Sequence, residues 1–429
     1  MPSNDVTSGR APAPRPAAAA VAAAVAEPSG RAEDRPGDRG PGPGGTTAPT
    51  TGPDPSAGPD PSAGSAAPAG SAASAAPGKA SGAPTPTAPA PREHRYDIDL
   101  IRMLCSCGVI LGHVGSAFIA AVGRQEAGGP AAYWAGMSAD AVSRFAVPMY
   151  FAIAGWAVLV GAPPRDGRRV WQRIVKIGVP LAVWTAVYLA WGRWRGTNGD
   201  PIGELALDSV FASVRPAYHL WYLYTYLPVI TLLACAALVR SGRRPWGLGA
   251  GLLVLAAAPQ LMGDIGEFTG WEMPRFGWGF VVYQIVYAVL GALLFALPAG
   301  ALGKRRTPWV VLAVLAMGGI LWYQHAVHYV IPNAHLLVAL FMGGVLLSLH
   351  RVRVPERLRP ALGRLAAAAY GAYLVHVLVI DVLAHPFVDA ELGALRAGVL
   401  TVVLTAATIV LSFGTSLLWG RLRLRRWLG

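Results

Sequence analysis

Long apolar segments alternate with short polar connections along the chain from about residue 95 onwards. A hydrocarbon core about 30 Å thick needs roughly 20 apolar residues of helix, and the pattern predicts ten such spans. They lie at approximately 98–122, 142–161, 174–192, 219–239, 246–263, 277–298, 308–324, 334–349, 366–385 and 395–419. We therefore predict an all-α fold, a polytopic membrane helical bundle. If the weaker spans 246–263 and 334–349 do not cross, eight remain.

The connections between these spans alternate in their content of basic residues. Most of the arginines and lysines lie in every second connection, at 165–176, 240–244, 304–306, 351–364 and 421–426. In membrane proteins the cytoplasmic loops carry an excess of Lys and Arg. We therefore predict that these basic connections and both chain termini are cytoplasmic. The expected location is the cell membrane.

Composition agrees with this class, because 54% hydrophobic and 14% charged residues are too apolar a mixture for an ordinary soluble protein. The net charge of +13 lies mainly in the connections. This charge therefore sets the orientation of the protein in the lipid bilayer and attracts anionic lipid. No nucleic-acid partner is predicted.

Residues 1–92 differ from the rest, since Ala, Pro, Gly, Ser and Thr dominate them and GPDPSA occurs twice in tandem. Such a segment cannot bury enough apolar surface to offset its ordering entropy. We predict a disordered cytoplasmic tail, followed by a membrane domain over 93–422. The alternative is a signal peptide around AAAAVAAAVA, whose alanines are weakly apolar for that role.

The first span carries a polar stripe formed by Asp99, Arg102 and His113. Eleven residues make about three helical turns, so Arg102 and His113 share a face and stand roughly 16 Å apart along the axis. Asp99 lies on that face and is expected to pair with Arg102. Ionisable residues inside a membrane mark functional sites. In the alternative interpretation Arg102 reaches the interface and His113 bonds to a neighbouring helix.

Further polar groups lie in other spans. His376 has Tyr373 one turn away, and it either completes a polar cavity opposite the first helix or bonds to a neighbouring span. Asp140 and Arg144 are expected to pair where the second span enters the membrane from outside. His219 and Trp221 suit either glycan binding or an interfacial aromatic belt.

A metal site is not predicted. His325, His328 and His335 lie close in sequence, but no carboxylate or cysteine joins them at ligand spacing.

The segment RYDIDLIRMLCSCGVILGHVG resembles the first helix of the acyltransferase 3 family, whose mark is an arginine and a histidine separated by ten residues. Arg102 and His113 fit that mark. Other stretches similar to family signatures follow in the family's order: SRFAVPMYFAIAGW, RIVKIGVPLAVW, YHLWYLYTYLPVI and YGAYLVHVLVI. The resemblance extends over about residues 95–420.

This resemblance implies transfer of an acyl group, most often acetyl, from acyl-CoA to a hydroxyl. The implied acceptor is a cell-envelope glycan, a lipid-linked sugar or a secreted glycosylated metabolite. The candidate catalytic residues are His113, Arg102, Asp99 and His376. The candidates for the phosphates of coenzyme A are Arg169, Arg173 and Lys176. The candidates for acceptor binding are Arg144, His219, Trp221 and Tyr373.

Two roles are open to His113 in such a transfer. Neutral imidazole either deprotonates the acceptor hydroxyl or takes the acyl group itself before passing it on. The basic pair before the third span departs from the family, because Lys176 stands where an arginine is common. Lysine meets phosphate as a point charge without the bidentate fork, which Arg168 and Arg169 are placed to supply.

Two other classes of function remain open on the sequence. A transporter of an already modified saccharide or lipid would line its pathway with intramembrane charges, although no half-to-half similarity is visible. A non-catalytic membrane scaffold would have no need of the stripe formed by Asp99, Arg102 and His113.

Overall fold

The computed structural model describes residues 94–123, 131–197, 199–211, 217–303, 305–328, 330–384 and 386–429. The predicted disordered tail, 1–92, lies outside these residues, as does Lys304 of a predicted cytoplasmic connection. The described residues form helices joined by short connections, with no β-strand among them.

Thirteen α-helices are present in the described ranges. They are α1 (Tyr96–Ala121), α2 (Ala131–Ser143), α3 (Ala146–Trp156), α4 (Gly167–Trp194), α5 (Ile202–Val210), α6 (Trp221–Arg240), α7 (Trp246–Thr269), α8 (Val282–Ala296), α9 (Thr307–Ala326), α10 (Leu336–Leu349), α11 (Arg359–Ala384), α12 (Ala394–Arg421) and α13 (Arg425–Leu428). A π-helical turn, Ala157–Gly161, extends α3, and the 3₁₀ turn Tyr218–Leu220 precedes α6.

Eight helical stretches in the described chain are long and apolar enough to cross a membrane. They are Tyr96–Ala121, Ala131–Gly161, Gly167–Trp194, Tyr218–Arg240, Trp246–Thr269, Thr307–Ala326, Glu356–Ala384 and Ala394–Arg421. The predicted weak span 246–263 is among them. Helices α8 and α10 are apolar but have only 15 and 14 residues. The predicted span 277–298 begins late, at Val282, because Pro274, Gly277 and Gly279 keep the preceding segment out of a helix.

The second span begins at Ala131, earlier than the predicted start at 142, and it is interrupted at Arg144–Phe145 between α2 and α3. Pro148 explains the interruption. It has no N–H for the carbonyl of Arg144, and its ring clashes with that carbonyl in a continuous helix. Arg144 therefore lies at the break between α2 and α3, and not at the start of the helical stretch as the predicted boundary at 142 implied.

Glycines allow two helix pairs to approach closely. A Cβ on Gly115 of α1 would lie 2.8 Å from the Gly136 carbonyl oxygen of α2, and a Cβ on Gly155 of α3 would lie 1.8 Å from the Ala288 carbonyl oxygen of α8. Helix α1 also packs against α3, α11 and α12, so it is central to the bundle. In lipid no hydrophobic effect drives helices together, so they associate through close packing at small residues such as these glycines.

The first turn of α1 is held by a buried carboxylate, Asp97. It accepts two hydrogen bonds from Arg95, at 2.8 and 2.7 Å, and one from the backbone N–H of Arg351 at 2.7 Å. Arg95 also donates to the carbonyl of Phe295 at 3.0 Å. This network connects α1 with the end of α8 and with the connection between α10 and α11.

Candidate active site

Three histidines from different parts of the chain meet beside α1. The ring centroid of His113, on α1, lies 5.0 Å from that of His376 on α11 and 6.3 Å from that of His219 in the 3₁₀ turn before α6. The rings of His219 and His376 are 5.1 Å apart. We call His113, His219 and His376 the histidine cluster. The ring of His376 therefore faces His113 on the first helix.

The histidine cluster holds buried polar atoms that no other described residue satisfies. His219 and His376 are 1% and 0% exposed, and both ring nitrogens of His219 and Nε2 of His376 lack a hydrogen-bond partner. Leaving such atoms unpaired is costly, and native structures rarely do so without a reason. An aromatic belt at the interface does not describe His219, because its ring is buried inside the bundle.

The tautomer of His376 follows from its contact with Tyr373. Nδ1 of His376 lies within hydrogen-bond distance of the Tyr373 carbonyl oxygen, which can only accept. Nδ1 therefore carries the proton, and Nε2 presents its lone pair to the cluster. A base needs such a free nitrogen.

Tyrosine rings surround the histidine cluster. The ring of Tyr218 is 5.1 Å from His113, and the ring of Tyr188 is 5.1 Å from His219. Tyr188 donates to the Leu374 carbonyl at 2.9 Å, and Tyr373 donates to the carbonyl of His219. These bonds connect α4, α11 and the 3₁₀ turn before α6 around the histidines, so several elements hold these side chains at once.

A second polar group lies next to His113, at the interruption of the second span. Arg144 binds Asp140 through Nε at 2.8 Å and Nη2 at 2.6 Å, which confirms the predicted pair. Gln324 of α9 also donates to Asp140, while its own Oε1 is buried without a partner. The sequence neighbours of His113 and Arg144, Gly112 and Ser143, pack against each other, since a Cβ on Gly112 would lie 3.0 Å from the Ser143 Cβ. The structure thus places the pair of Asp140 and Arg144 beside the turn of α1 that carries His113.

Arg102 occupies the other end of the polar stripe. Its guanidinium binds Asp99 at 2.9 Å, as predicted, and it is 33% exposed. The rise along α1 separates it from His113 by about 16 Å. Arg102 and His113 therefore cannot contact the same carbonyl group, and a ligand touching both would have to be extended.

The predicted phosphate-binding residues lie at the beginning of α4. Arg169 and Lys176 are exposed, and the backbone N–H of Arg169 is capped by Asp166. Arg173 donates to the Ala162 carbonyl at 2.6 Å. None of these three cations contacts the histidine cluster.

Trp221 is the predicted site residue that the structure does not bring to the cluster. Its indole packs against Tyr222, at 6.3 Å between centroids, and no ring contact joins it to a histidine in the described chain. Tyr373, by contrast, has its ring 5.4 Å from His219 and 5.7 Å from His376.

Among the described residues, no group of three or more His, Cys, Asp or Glu side chains could hold a metal ion. The ring of His325 lies 4.7 Å from that of Trp134 between centroids, and His335 caps α10 by accepting from the N–H of Leu337 at 3.1 Å.

Several residues of the site escaped the sequence analysis. Tyr188 and Gln324 carry no local signal, because only the tertiary fold brings them to the site. Tyr218 did carry one, since it immediately precedes His219 in the segment YHLWYLYTYLPVI, which is similar to a family signature.

Comparison with known proteins identifies the family of the chain. The acyltransferase 3 family model, described as an acyltransferase domain, matches residues 95–418, which is well over half of the chain. Neither the curated proteins nor the solved structures contain a match. The matched segment includes the whole histidine cluster and the polar stripe. The chain is therefore a multi-pass membrane protein that belongs to the acyltransferase 3 family.

Proposed function

We propose that the protein is a membrane O-acyltransferase that moves an acyl group, in the first instance acetyl, from acyl-CoA to an acceptor hydroxyl. The acceptor is a cell-envelope glycan, a lipid-linked sugar or a secreted glycosylated metabolite. The observation that carries the proposal is the histidine cluster, where buried imidazole nitrogens without partners converge inside an acyltransferase domain.

In the proposed reaction the acceptor oxygen attacks the thioester carbonyl. The new C–O bond forms, the C–S bond breaks, and coenzyme A leaves as a thiol. The hydroxyl proton passes to His113 and then to the departing sulfur, so the imidazole ends the cycle neutral. Alternatively a ring nitrogen of His113 attacks the thioester, the C–S bond breaks, and the proton of the other ring nitrogen passes to the departing sulfur, which leaves an acyl-imidazole. The acceptor oxygen then attacks the acyl carbon, the C–N bond breaks, and the hydroxyl proton restores the neutral imidazole.

The other two histidines have proposed roles that follow from their geometry. His376 lies 5.0 Å from His113, and two imidazoles at that distance resist carrying positive charge together. One neutral base is therefore always available. His219 supplies an N–H to the oxygen that becomes negative when the thioester is attacked.

The two ends of the site fit the two substrates. We place acyl-CoA on the Arg102 side, which is also the predicted cytoplasmic side, with Asp99 holding the Arg102 rotamer and with Arg169, Arg173 and Lys176 near the nucleotide phosphates. The acceptor approaches from the opposite side, where Asp140, Arg144 and Gln324 offer hydrogen bonds to a hydroxylated molecule.

Radioactive acetyl-CoA tests this function in membranes that carry the wild type, His113→Ala or His325→Ala at equal abundance. We expect label in a product that mild base releases. The label should be lost with His113→Ala and retained with His325→Ala, because the ring of His325 packs against Trp134 and not against the cluster. Solvent extraction then separates a lipid-linked acceptor from a glycan. Label transfer that is equal in all three membranes would refute the proposal.

A further inference from the structure

Four tyrosines connect the two ends of the polar stripe. The ring of Tyr222, on α6, lies 6.0 Å from Tyr150 of α3, 5.3 Å from Tyr226 of α6 and 6.0 Å from Tyr373 of α11. We call Tyr150, Tyr222, Tyr226 and Tyr373 the tyrosine ladder. Its hydroxyl groups are close enough to act on one another electrostatically.

One end of the tyrosine ladder lies at Arg102. The Tyr150 hydroxyl is 2.6 Å from the Ser106 hydroxyl and 3.4 Å from the Arg102 carbonyl oxygen. Tyr226 and Ile174 of α4, the residue after Arg173, pack against the same buried cluster, so the tyrosine ladder also lies close to the basic start of α4.

The other end of the tyrosine ladder lies at the histidine cluster. Tyr373 has its ring 5.7 Å from His376. The ladder therefore spans the interval of about 16 Å that separates Arg102 from His113 along α1.

Two members of the tyrosine ladder, Tyr222 and Tyr226, are only partly buried. Tyr222 and Tyr226 pack against two separate buried clusters, one built around Phe151 and the other around Leu223, yet both tyrosines keep a solvent-accessible fraction. Within the described chain neither hydroxyl has a hydrogen-bond partner. These two hydroxyls therefore have unused hydrogen-bonding capacity that a polar ligand could satisfy.

We infer that the tyrosine ladder binds the pantetheine arm of the acyl-CoA donor. This inference rests on the proposed function and adds a binding site for one part of the donor. The arm is extended, carries two amides and a hydroxyl, and ends in the sulfur that holds the acyl group. Tyrosine hydroxyls donate to amide carbonyls and accept from amide N–H groups, while the rings cover its methylene groups.

The tyrosine ladder also explains how one donor uses both ends of the polar stripe. The nucleotide stays with the exposed cations of α4, the arm runs past Arg102 and along the tyrosines, and the thioester reaches the histidine cluster. Binding energy from the distant part of the donor then positions the reacting carbonyl.

The test compares Tyr222→Phe/Tyr226→Phe with Tyr224→Phe on the same helix. Tyr224 lies on another face of α6, where its hydroxyl donates to the Ser209 carbonyl at 3.1 Å and its ring packs 4.7 Å from Trp278. Label transfer is measured against acetyl-CoA concentration, and pantetheine is added as a competing fragment. Thermal unfolding of each purified variant checks folding.

We expect the double variant to raise KM for acetyl-CoA and Ki for pantetheine by about tenfold each, with kcat nearly unchanged, as the loss of one to two net hydrogen bonds implies. Tyr224→Phe should leave both constants unchanged. The inference is overturned if pantetheine does not inhibit the wild type, or if the double variant changes kcat alone. If the wild type transfers no label from acetyl-CoA, the proposed function itself fails.

Discussion

The free Nε2 of His376 leads to a prediction about catalysis. His376→Asn retains an N–H for the Tyr373 carbonyl but has no basic nitrogen, and His376→Gln likewise has none. If His376 shares the proton of His113, both variants should lower kcat by about 10²-fold or more while KM for acyl-CoA changes little. Steady-state kinetics in membranes or nanodiscs measures this.

The control for His376 is His325→Asn, which alters a histidine outside the cluster. It should retain the wild-type kcat. If His376→Asn is as active as the wild type, His376 merely supports the packing of α11 through its Nδ1–H, and the shared-proton role is wrong.

Arg102 is predicted to act on donor binding and not on the chemical step, because it stands about 16 Å from His113. Arg102→Gln should raise KM for acetyl-CoA by about tenfold, since hydrogen bonds to charged groups are worth more than neutral ones. Asp99→Asn should have a smaller effect in the same direction. Arg421→Gln, which removes an exposed arginine at the end of α12, is the control. A fall in kcat with unchanged KM would contradict this assignment.

Close packing between α9 and α10 gives a prediction at two adjacent glycines. A Cβ on Gly344 would lie 2.8 Å from the backbone nitrogen of Ala313 and 2.9 Å from the Trp309 carbonyl oxygen, whereas nothing lies within 4 Å of a Cβ on Gly343. Gly344→Ala should destabilise the protein by about 1–3 kcal/mol through overpacking. Gly343→Ala should be neutral or stabilising, since alanine favours helix. Thermal unfolding in detergent compares them, and equal melting temperatures would contradict the packing.

The network around Asp97 gives a second stability prediction. Asp97→Asn removes the charge partner of Arg95, which is itself only 14% exposed, and should destabilise the protein by about 3 kcal/mol. The matched control is Glu356→Gln, whose pair with Arg359 is exposed and should matter little. If the two variants unfold at the same temperature, Asp97 does not anchor the start of α1.

Helix boundaries show what the sequence could predict. The length of the apolar segments located most of the membrane helices. Helix α1, for example, was predicted at 98–122 and is found at Tyr96–Ala121. It did not place the start of the second span, because Ala131–Ser143 mixes small and polar residues whose burial depends on contact with α1. It also overestimated the helix at 277–298, where proline and glycine override hydropathy.

The histidine cluster shows where sequence reasoning ends. Helical periodicity predicted that Asp99, Arg102 and His113 share a face, and spacing predicted the pair of Asp140 with Arg144. No local sequence pattern predicts that His219, in a short 3₁₀ turn, contacts His376 across the bundle. That contact depends on how distant helices pack, and only the tertiary structure shows it.

The membrane topology of the whole molecule is a further prediction. Ten spans place the exposed Ala299, between α8 and α9, on the cytoplasmic side, whereas eight spans, with α8 and α10 not crossing, place it outside. After Cys105, Cys107 and Cys235 are replaced, Ala299→Cys should resist an impermeant thiol reagent in intact cells, and Thr197→Cys should react. Reaction of both positions would establish the eight-span arrangement.

Sidedness of the reaction tests the central claim most directly. Inside-out and right-side-out membrane vesicles receive impermeant radioactive acetyl-CoA, with the wild type or His113→Ala at equal abundance. Our account predicts base-labile label only in inside-out vesicles of the wild type, because the donor enters at Arg102 and reacts at the histidine cluster. Equal label in both orientations, or label that persists with His113→Ala, would contradict the account.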